Sequence, residues 1–471
     1  MAGDDALDVV VVGAGLAGLT TSALLGRLGR RVALVEARAE LGGLSRSYRR
    51  LGVDCPIGIH YFGAAGPGEL LDRVWSAIGV TVPLRPAGVD GPLSRYHFGA
   101  DTFDLPVGFD RLEDALVDAV PAERPAIGAL VRSLRVAAEP LRMRPRLGAF
   151  DAFESAADLL RGLGCSARLT RLVSAPEAWL GMSLEDCPRS SYELALASYL
   201  LSSWRLACTG AELVDRFAAR LGELGVEIIA GDGARRLVAA DGAVTGVVLA
   251  SGRRLNAPRV VLSLHPKHAV RLFDDDPALA ALAGQLRGLP DTHAASMAFA
   301  LVDAARSPAR DHNTYLFDDH RRLWFQLAPS GREGKNLLTV VASDSFAAWQ
   351  PWERTTTGAR GAGYVEAKAA LAGRLLAEVR RVATVDGVEW LDVLTPLSFR
   401  DWVGTFEGSL YGLSRGGLAL AGLNRGGVRG LRFVGQSLLA PGVIGVTYGA
   451  LRVAGDLAGR AALAALIGGG A

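Results

Sequence analysis

Asp8-Val9-Val10-Val11-Val12-Gly13-Ala14-Gly15-Leu16-Ala17-Gly18 is the stretch that decides how the chain is read. Four valines between an acid and a glycine form a short, continuous apolar run, the pattern of a strand buried on both faces. Residues 17–28 then carry helical spacing, and Arg31–Glu36 gives a second buried strand, so one β-α-β unit opens the chain. Gly13 permits the tight turn, Gly15 lets main chain approach a pyrophosphate, and Gly18 allows close helix–strand packing. A helix N-terminus there offers free N–H groups and its positive dipole end to phosphate. Glu36 ends the second strand, where an acid accepts hydrogen bonds from ribose hydroxyls.

The whole chain is consistent with an enzyme-sized α/β protein. Of 471 residues half are hydrophobic and 58 are glycine, which excludes a disordered chain and leaves ample core. Basic and acidic residues number 51 and 49, with no long basic run, so nucleic acid is not an expected partner. Cys55, Cys165, Cys187 and Cys208 form no CxxC pair and read as reduced thiols of a cytoplasmic protein. The opening MAGDDALDVVVVGAG has acids where a signal peptide needs bases. No uncharged apolar stretch reaches the roughly 18 residues of a membrane span. A mean hydropathy of +0.24 leaves peripheral membrane contact open, and the oligomeric state is not legible.

Further along, 52–62 reads as irregular, and Arg95–Gly99 with Thr102–Leu105 as a hairpin. Residues 109–204 look helical, with stops at Pro121, Pro125, Pro140, Pro145, Pro176 and Pro188. An amphipathic helix at 210–224 leads to strand 226–230, a β pair at 234–239 and 243–249 turning through Asp241-Gly242, and a buried strand at 258–263. Strands are expected at 294–302, 314–318, 323–328, 336–343 and 388–394, a long helix at 362–382, then strand 431–435 and a helix over 446–460. Strands of the buried type recur near the start, middle and end. One domain assembled from distant pieces fits this better than domains in series.

Arg38-x-x-x-Gly42-Gly43-Leu44-Ser45 follows Glu36 directly, and a glycine pair there lets main chain lie against an extended cofactor. With this segment the sequence resembles the flavoprotein superfamily of amine oxidases, protoporphyrinogen oxidase, phytoene desaturases, carotenoid isomerases and retinol saturases. FAD is the cofactor that the resemblance implies. Gly58-Ile59-His60-Tyr61-Phe62-Gly63 resembles the G-x-H-Y-x-G segment of retinol saturases and carotenoid isomerases, after a slightly longer lead-in. Residues 209–265 are similar to the family's helix, strand and β pair, which implies backbone contacts from Ala234 to adenine. Thr395-Pro396, Arg400, Gly408 and Tyr411-Gly412 look like a segment of phytoene-desaturase-like proteins. Val434-Gly435-Gln436 and Pro441-Gly442-Val443-Ile444-Gly445 are similar to the terminal flavin-binding motif, where a helix N-terminus meets the isoalloxazine ring. Two departures stand out. Gln436 replaces the usual acid, and Val446 stands where the amine-oxidase form carries a cage tyrosine, with Tyr448 nearby.

Together these imply cofactor contacts from Gly13, Ala14, Gly15, Leu16, Ala17, Gly18, Glu36, Ala37, Arg38, Gly42, Gly43, Leu44, Ser45, Gly58, Ile59, His60, Ala234, Gly435, Gln436, Gly442, Val443 and Ile444. His60, Arg400 and Tyr448 are the catalytic candidates, each with a structural role as the alternative. Gly412-Leu413-Ser414-Arg415-Gly416 matches a nucleophile elbow but lacks its strand–turn–helix context. His265 and His268 lack a third metal ligand nearby, and no metal is expected. Phe346, Trp349 and Trp352 are weighed as a substrate channel against core packing.

The expected fold is α/β: a Rossmann-like FAD-binding domain from 1–75, 205–270 and 425–471, interleaved with a substrate domain of mixed sheet plus helices from 76–204 and 271–424. The expected function is FAD-dependent oxidoreduction at carbon–carbon bonds of a small apolar, polyene- or isoprenoid-like or specialised-metabolite molecule. Desaturation, saturation and isomerisation all remain open, and saturation needs an external donor because a second nucleotide fingerprint is absent. The alternatives are an amine or protoporphyrinogen-type oxidase, and a redox-inactive binding protein of the GDP-dissociation-inhibitor type.

Overall fold

The computed structural model describes residues 6–142, 154–273, 276–318, 322–414, 424, 428–438 and 440–468. At its centre is a parallel five-stranded sheet in the order Glu227–Ala230, Val32–Glu36, Val9–Val12, Val260–Leu262, Leu431–Phe433. Val10 lies between Ala33 and Val260, so pieces of chain far apart in sequence pair side by side. All four residues of Val9–Val12 are buried. Their alternation divides two cores: Val9 and Val11 face the helices Leu16–Arg27 and Gly442–Ala458. Val10 and Val12 face the antiparallel layer Ala234–Ala240, Ala243–Leu249 and Arg254–Asn256, together with helix Pro277–Arg287.

The helix Gly210–Glu223 that feeds the sheet starts on a capping box, with Glu212 N–H donating to Thr209 Oγ1 at 3.2 Å and Thr209 N–H donating to Glu212 Oε2 at 2.7 Å. The expected turn through Asp241-Gly242 forms with φ of 52° and 69°.

A second, seven-stranded sheet runs Glu389–Leu394, Ala294–Asp303, Lys335–Asp344, Arg322–Pro329, Asn313–Phe317, Ser94–Phe98, Asp101–Leu105. Its strand pairs are antiparallel except that between Asn313–Phe317 and Ser94–Phe98. On one face Ala298, Ala300, Phe325 and Val340 pack against helix Ala362–Arg380. The neighbouring positions Met297, Tyr315, Trp324 and Val341 share the opposite face because side chains alternate along each strand. Helices between 109 and 201 pack around Leu112, Ile127, Leu134 and Leu196. A small sheet of Phe62–Gly63, Ser203–Leu206 and Leu84–Pro86 fixes the 58–63 segment beside both layers.

Three expectations change. Residues 52–62 are partly regular: Ser47–Arg50 pairs with Val53–Pro56 across Leu51-Gly52, both at positive φ. The exposed Leu51 disguised that turn as apolar sequence. Pro140 does not stop a helix but sits in the last turns of Arg124–Arg142; Pro145 lies outside the described residues. The last long helix begins at Gly442, earlier than its weak glycine-rich propensity suggests. Phe346, Trp349 and Trp352 pack with Tyr364 under the second sheet, the core-packing alternative, and are not among the residues lining the main cavity. Among the described residues no helix is long and apolar enough to cross a membrane.

A Cβ on Gly18 would lie 1.9 Å from the Gly13 carbonyl oxygen, so the first helix and strand cannot hold this separation with any other residue. Gly18→Ala is expected to lower stability by about 1–3 kcal/mol or more, read from urea unfolding midpoints.

Candidate functional site

The carboxyl ends of the central strands open into a cavity of about 560 Å³ that runs on to the inner face of the second sheet. At one end lie Gly13, Gly15, Leu16 and Ala17, where helix Leu16–Arg27 starts with no side-chain cap. Helix Gly442–Ala458 also starts uncapped, and Gly442, Val443 and Ile444 line the same cavity. Two helix N-termini with their free N–H donors therefore meet one space. The glycines do separate jobs. Gly13 has φ of 101° and no room for a Cβ against Ser263, whereas a Cβ on Gly15 would meet nothing within 4 Å.

Glu36 closes this end by accepting from Ala14 N–H at 2.9 Å and Arg38 N–H at 3.0 Å. The Gly42 N–H donates to the Ala14 carbonyl at 2.7 Å, which lays the glycine pair beside the first turn. Arg38 and Arg46 hold this loop through the carbonyls of Asp401 and Trp402 near the C-terminal end of helix Pro396–Val403. Guanidinium groups complement the negative end of that helix. Burial lowers the Arg46 pKa below the usual guanidinium value.

The other end is aromatic: Tyr61, Trp179, Tyr199, Tyr315, Trp324 and Tyr411 line it. His60 packs on Trp324 with ring centroids 4.5 Å apart. Burial, then the Arg205 charge, pushes the His60 pKa down to about 3, so the ring is neutral at physiological pH. His293 Nδ1 donates to the Ala294 carbonyl at 3.1 Å, and burial keeps this imidazole below its ordinary pKa as well. Beneath the wall Arg205, 3% exposed, donates to the carbonyls of His60 and Asp311 and to Asn313 Oδ1. The acids among the described lining residues, Glu36 and Glu40, both belong to the glycine-rich end.

The structure gathers most of the sequence candidates here. Gly13, Gly15, Leu16, Ala17, Glu36, Ala37, Arg38, Gly43, Leu44, Ser45, Gly58, Ile59, His60, Gly435, Gln436, Gly442, Val443 and Ile444 all line the cavity. Ala14, Gly18 and Gly42 shape it from behind. Ala234 does not line it, although neighbouring Gly233 packs against Ala37. Two catalytic candidates are corrected. Arg400 lies outside the cavity, with Nε on Asp401 Oδ1 at 2.7 Å and a terminal nitrogen on the Glu353 carbonyl at 2.9 Å. Tyr448, on helix Gly442–Ala458, is 2% exposed and packs into the core, and Val446 faces the cavity instead. His265 is held by Asp291 at 2.7 Å, with Lys267 on the same carboxylate. Of the elbow-like run, Arg415 and Gly416 lie outside the described residues.

Residues 11–78 match the family of NAD(P)-binding Rossmann-like domains. Over 94% of its length the chain is 22% identical to all-trans-retinol 13,14-reductase of Danio rerio, covering 85% of that protein. It is 29% identical to hydroxyneurosporene desaturase of Cereibacter sphaeroides, over 88% of this chain and 89% of the relative. An oxidoreductase from Methanosarcina mazei shares the fold, with a TM-score of 0.69, 15% identity, and coverage of 95% of this chain and 99% of that one. These likenesses support an oxidoreductase of the phytoene desaturase, carotenoid isomerase and retinol saturase group. A flavin is the cofactor implied for an oxidoreductase of this group. The site fits one: Gly15 presents bare main chain to the cavity, and two uncapped helix N-termini suit a pyrophosphate and an electron-rich ring edge.

Two expectations follow for this oxidoreductase. Gly15→Val should leave urea unfolding of the flavin-free protein within about 0.5 kcal/mol while sharply reducing flavin content measured by absorbance. His60 stabilises the fold fully above pH 6.5, and that contribution is lost as pH falls toward about 3, because the unfolded imidazole takes up the proton first. His60→Gln should therefore lower the slope of unfolding free energy against pH by up to about one proton within that window.

Proposed function

We propose that this chain is an FAD-dependent oxidoreductase that forms, removes or shifts carbon–carbon double bonds in an apolar, polyene- or isoprenoid-like molecule. The observation that carries the reading is one continuous cavity with a glycine-rich, helix-capped end and an aromatic end. In this reading the backbone of Gly13–Ala17 holds the pyrophosphate and Glu36 takes the adenosine ribose. Gly42–Ser45, Gly58–His60, Gly435-Gln436 and Gly442–Ile444 enclose the remainder. Bound FAD supplies hydride exchange with carbon at its flavin ring.

The protein's own contribution is orientation and exclusion of water. Tyr199, Tyr315 and Trp324 form an aromatic wall suited to a conjugated chain, and neutral His60 completes it. Val446 in place of a cage tyrosine, and acids confined to the glycine-rich end, weigh against an amine as substrate.

The test is anaerobic incubation of purified protein with all-trans-retinol and with an acyclic carotenoid, following flavin absorbance and product mass together. Desaturation predicts bleaching and loss of two hydrogens. Saturation predicts reoxidation of pre-reduced flavin and gain of two hydrogens. Isomerisation leaves the mass unchanged. A protein purified without flavin, and unable to take it up, would overturn the reading in favour of a binding protein.

A further inference from the structure

The aromatic end contains a directed chain of hydrogen bonds. Trp179 Nε1–H, which can only donate, gives its hydrogen to Tyr315 Oη at 3.0 Å. Tyr315 Oη is also hydrogen-bonded to Tyr61 Oη. Tyr315 is 5% exposed, and among the described residues Trp179 and Tyr61 are the partners of its hydroxyl. Tyr315 also lines the cavity but is the more buried of the two, so if Tyr61 donated to it the Tyr315 hydrogen would have the poorer access to an acceptor, and a buried donor left unpaired costs about 1–3 kcal/mol. The favoured order is therefore Trp179 to Tyr315 to Tyr61. It leaves the Tyr61 O–H directed to the cavity that Tyr61 lines.

The charge behind this wall has the same sense. The Arg205 guanidinium lies 5.7 Å from the Tyr61 ring centroid. Among the described residues it has no carboxylate within ion-pair distance: its bonds go to two carbonyls and an amide oxygen, and its Nε has no partner. Burial, with Arg85 next to it, lowers its pKa to about 10, so it stays charged at neutral pH; Asp311 offsets this from a distance. The other arginine on this side, Arg322, is balanced by Glu177 at 2.8 Å. An unbalanced cation thus sits under a hydroxyl donor in an apolar wall, where the low local polarity strengthens its pull on an anion.

We propose that the aromatic half of the cavity binds an apolar chain ending in a carboxylate, one oxygen of which accepts the Tyr61 hydroxyl above Arg205. The inference rests on the reading of this half as the substrate side.

Trp179 and Trp324 in the wall supply the signal. A long-chain conjugated tetraene, as its carboxylic acid, its primary alcohol and its parent hydrocarbon, is titrated into the purified protein at neutral pH while tryptophan emission is followed. The acid should bind about tenfold more tightly than the hydrocarbon, with the alcohol between them. Tyr61→Phe should bring the acid within about twofold of the hydrocarbon, the two compared in the same variant. Trp179→Phe should narrow the same gap, because Tyr315 Oη is then free to take the Tyr61 hydrogen; loss of packing alone would weaken all three probes alike. Equal binding of acid and hydrocarbon, a tighter alcohol, a gap that survives Tyr61→Phe, or no quenching by any probe overturns the proposal. Flavin absorbance of the same samples keeps the two readings apart. An acid preference without flavin refutes only the redox function, and flavin without an acid preference refutes only the carboxylate subsite.

Discussion

The contact on which this molecule depends is the seating of helix Leu16–Arg27 on strand Val9–Val12, where Gly18 meets the Gly13 carbonyl with no room for a side chain. That seating aims the helix N-terminus along the strand ends. It also places Gly15 where its main chain is bare to the cavity, and lets Gly42 hydrogen-bond Ala14. Everything later in the chain adds to this frame. Val260–Leu262 and Leu431–Phe433 extend the sheet on one side, and Glu227–Ala230 on the other. Helix Gly442–Ala458 packs beside the first helix and brings a second N-terminus to the same space.

Most of this frame was legible because it rests on local rules. A four-valine run, glycines at fixed offsets and an acid at a strand end each have a short-range physical reason. The same holds for the β pair turning at Asp241-Gly242. The second sheet was also visible strand by strand, since Ala294–Asp303 is mostly apolar and Lys335–Asp344 carries apolar, β-branched residues at its centre. What the sequence hid was which face of those strands looks into the cavity. Tyr315 and Trp324 stand opposite each other across a strand pair whose partners are set by tertiary register alone. Their meeting with Trp179, far away in the helical layer, has no local signature.

The misread residues fail for the same reason. Arg400 sits in a motif-like segment, but its neighbour Asp401 and the Glu353 carbonyl take its donors, and no spacing rule announces that. Tyr448 lies close in sequence to the residues that line the cavity, yet helical geometry turns it into the core while Val446 faces the site. Tyr61 was within view as part of Gly58–Gly63. Its role emerges only from the order of hydrogen bonds around Tyr315.

The cavity wall made by one face of the second sheet has an evolutionary consequence. Met297, Tyr315, Trp324 and Val341 look into the site, while the residues next to them, such as Ala298, Phe325 and Val340, hold the sheet to its supporting helix. Mutations at every second position therefore repaint the surface seen by a bound molecule without disturbing the layer that keeps the sheet in place. Selectivity and foldability are written on alternate letters of the same strands. A lineage can drift from one apolar compound to another in single steps, each tolerated by the scaffold.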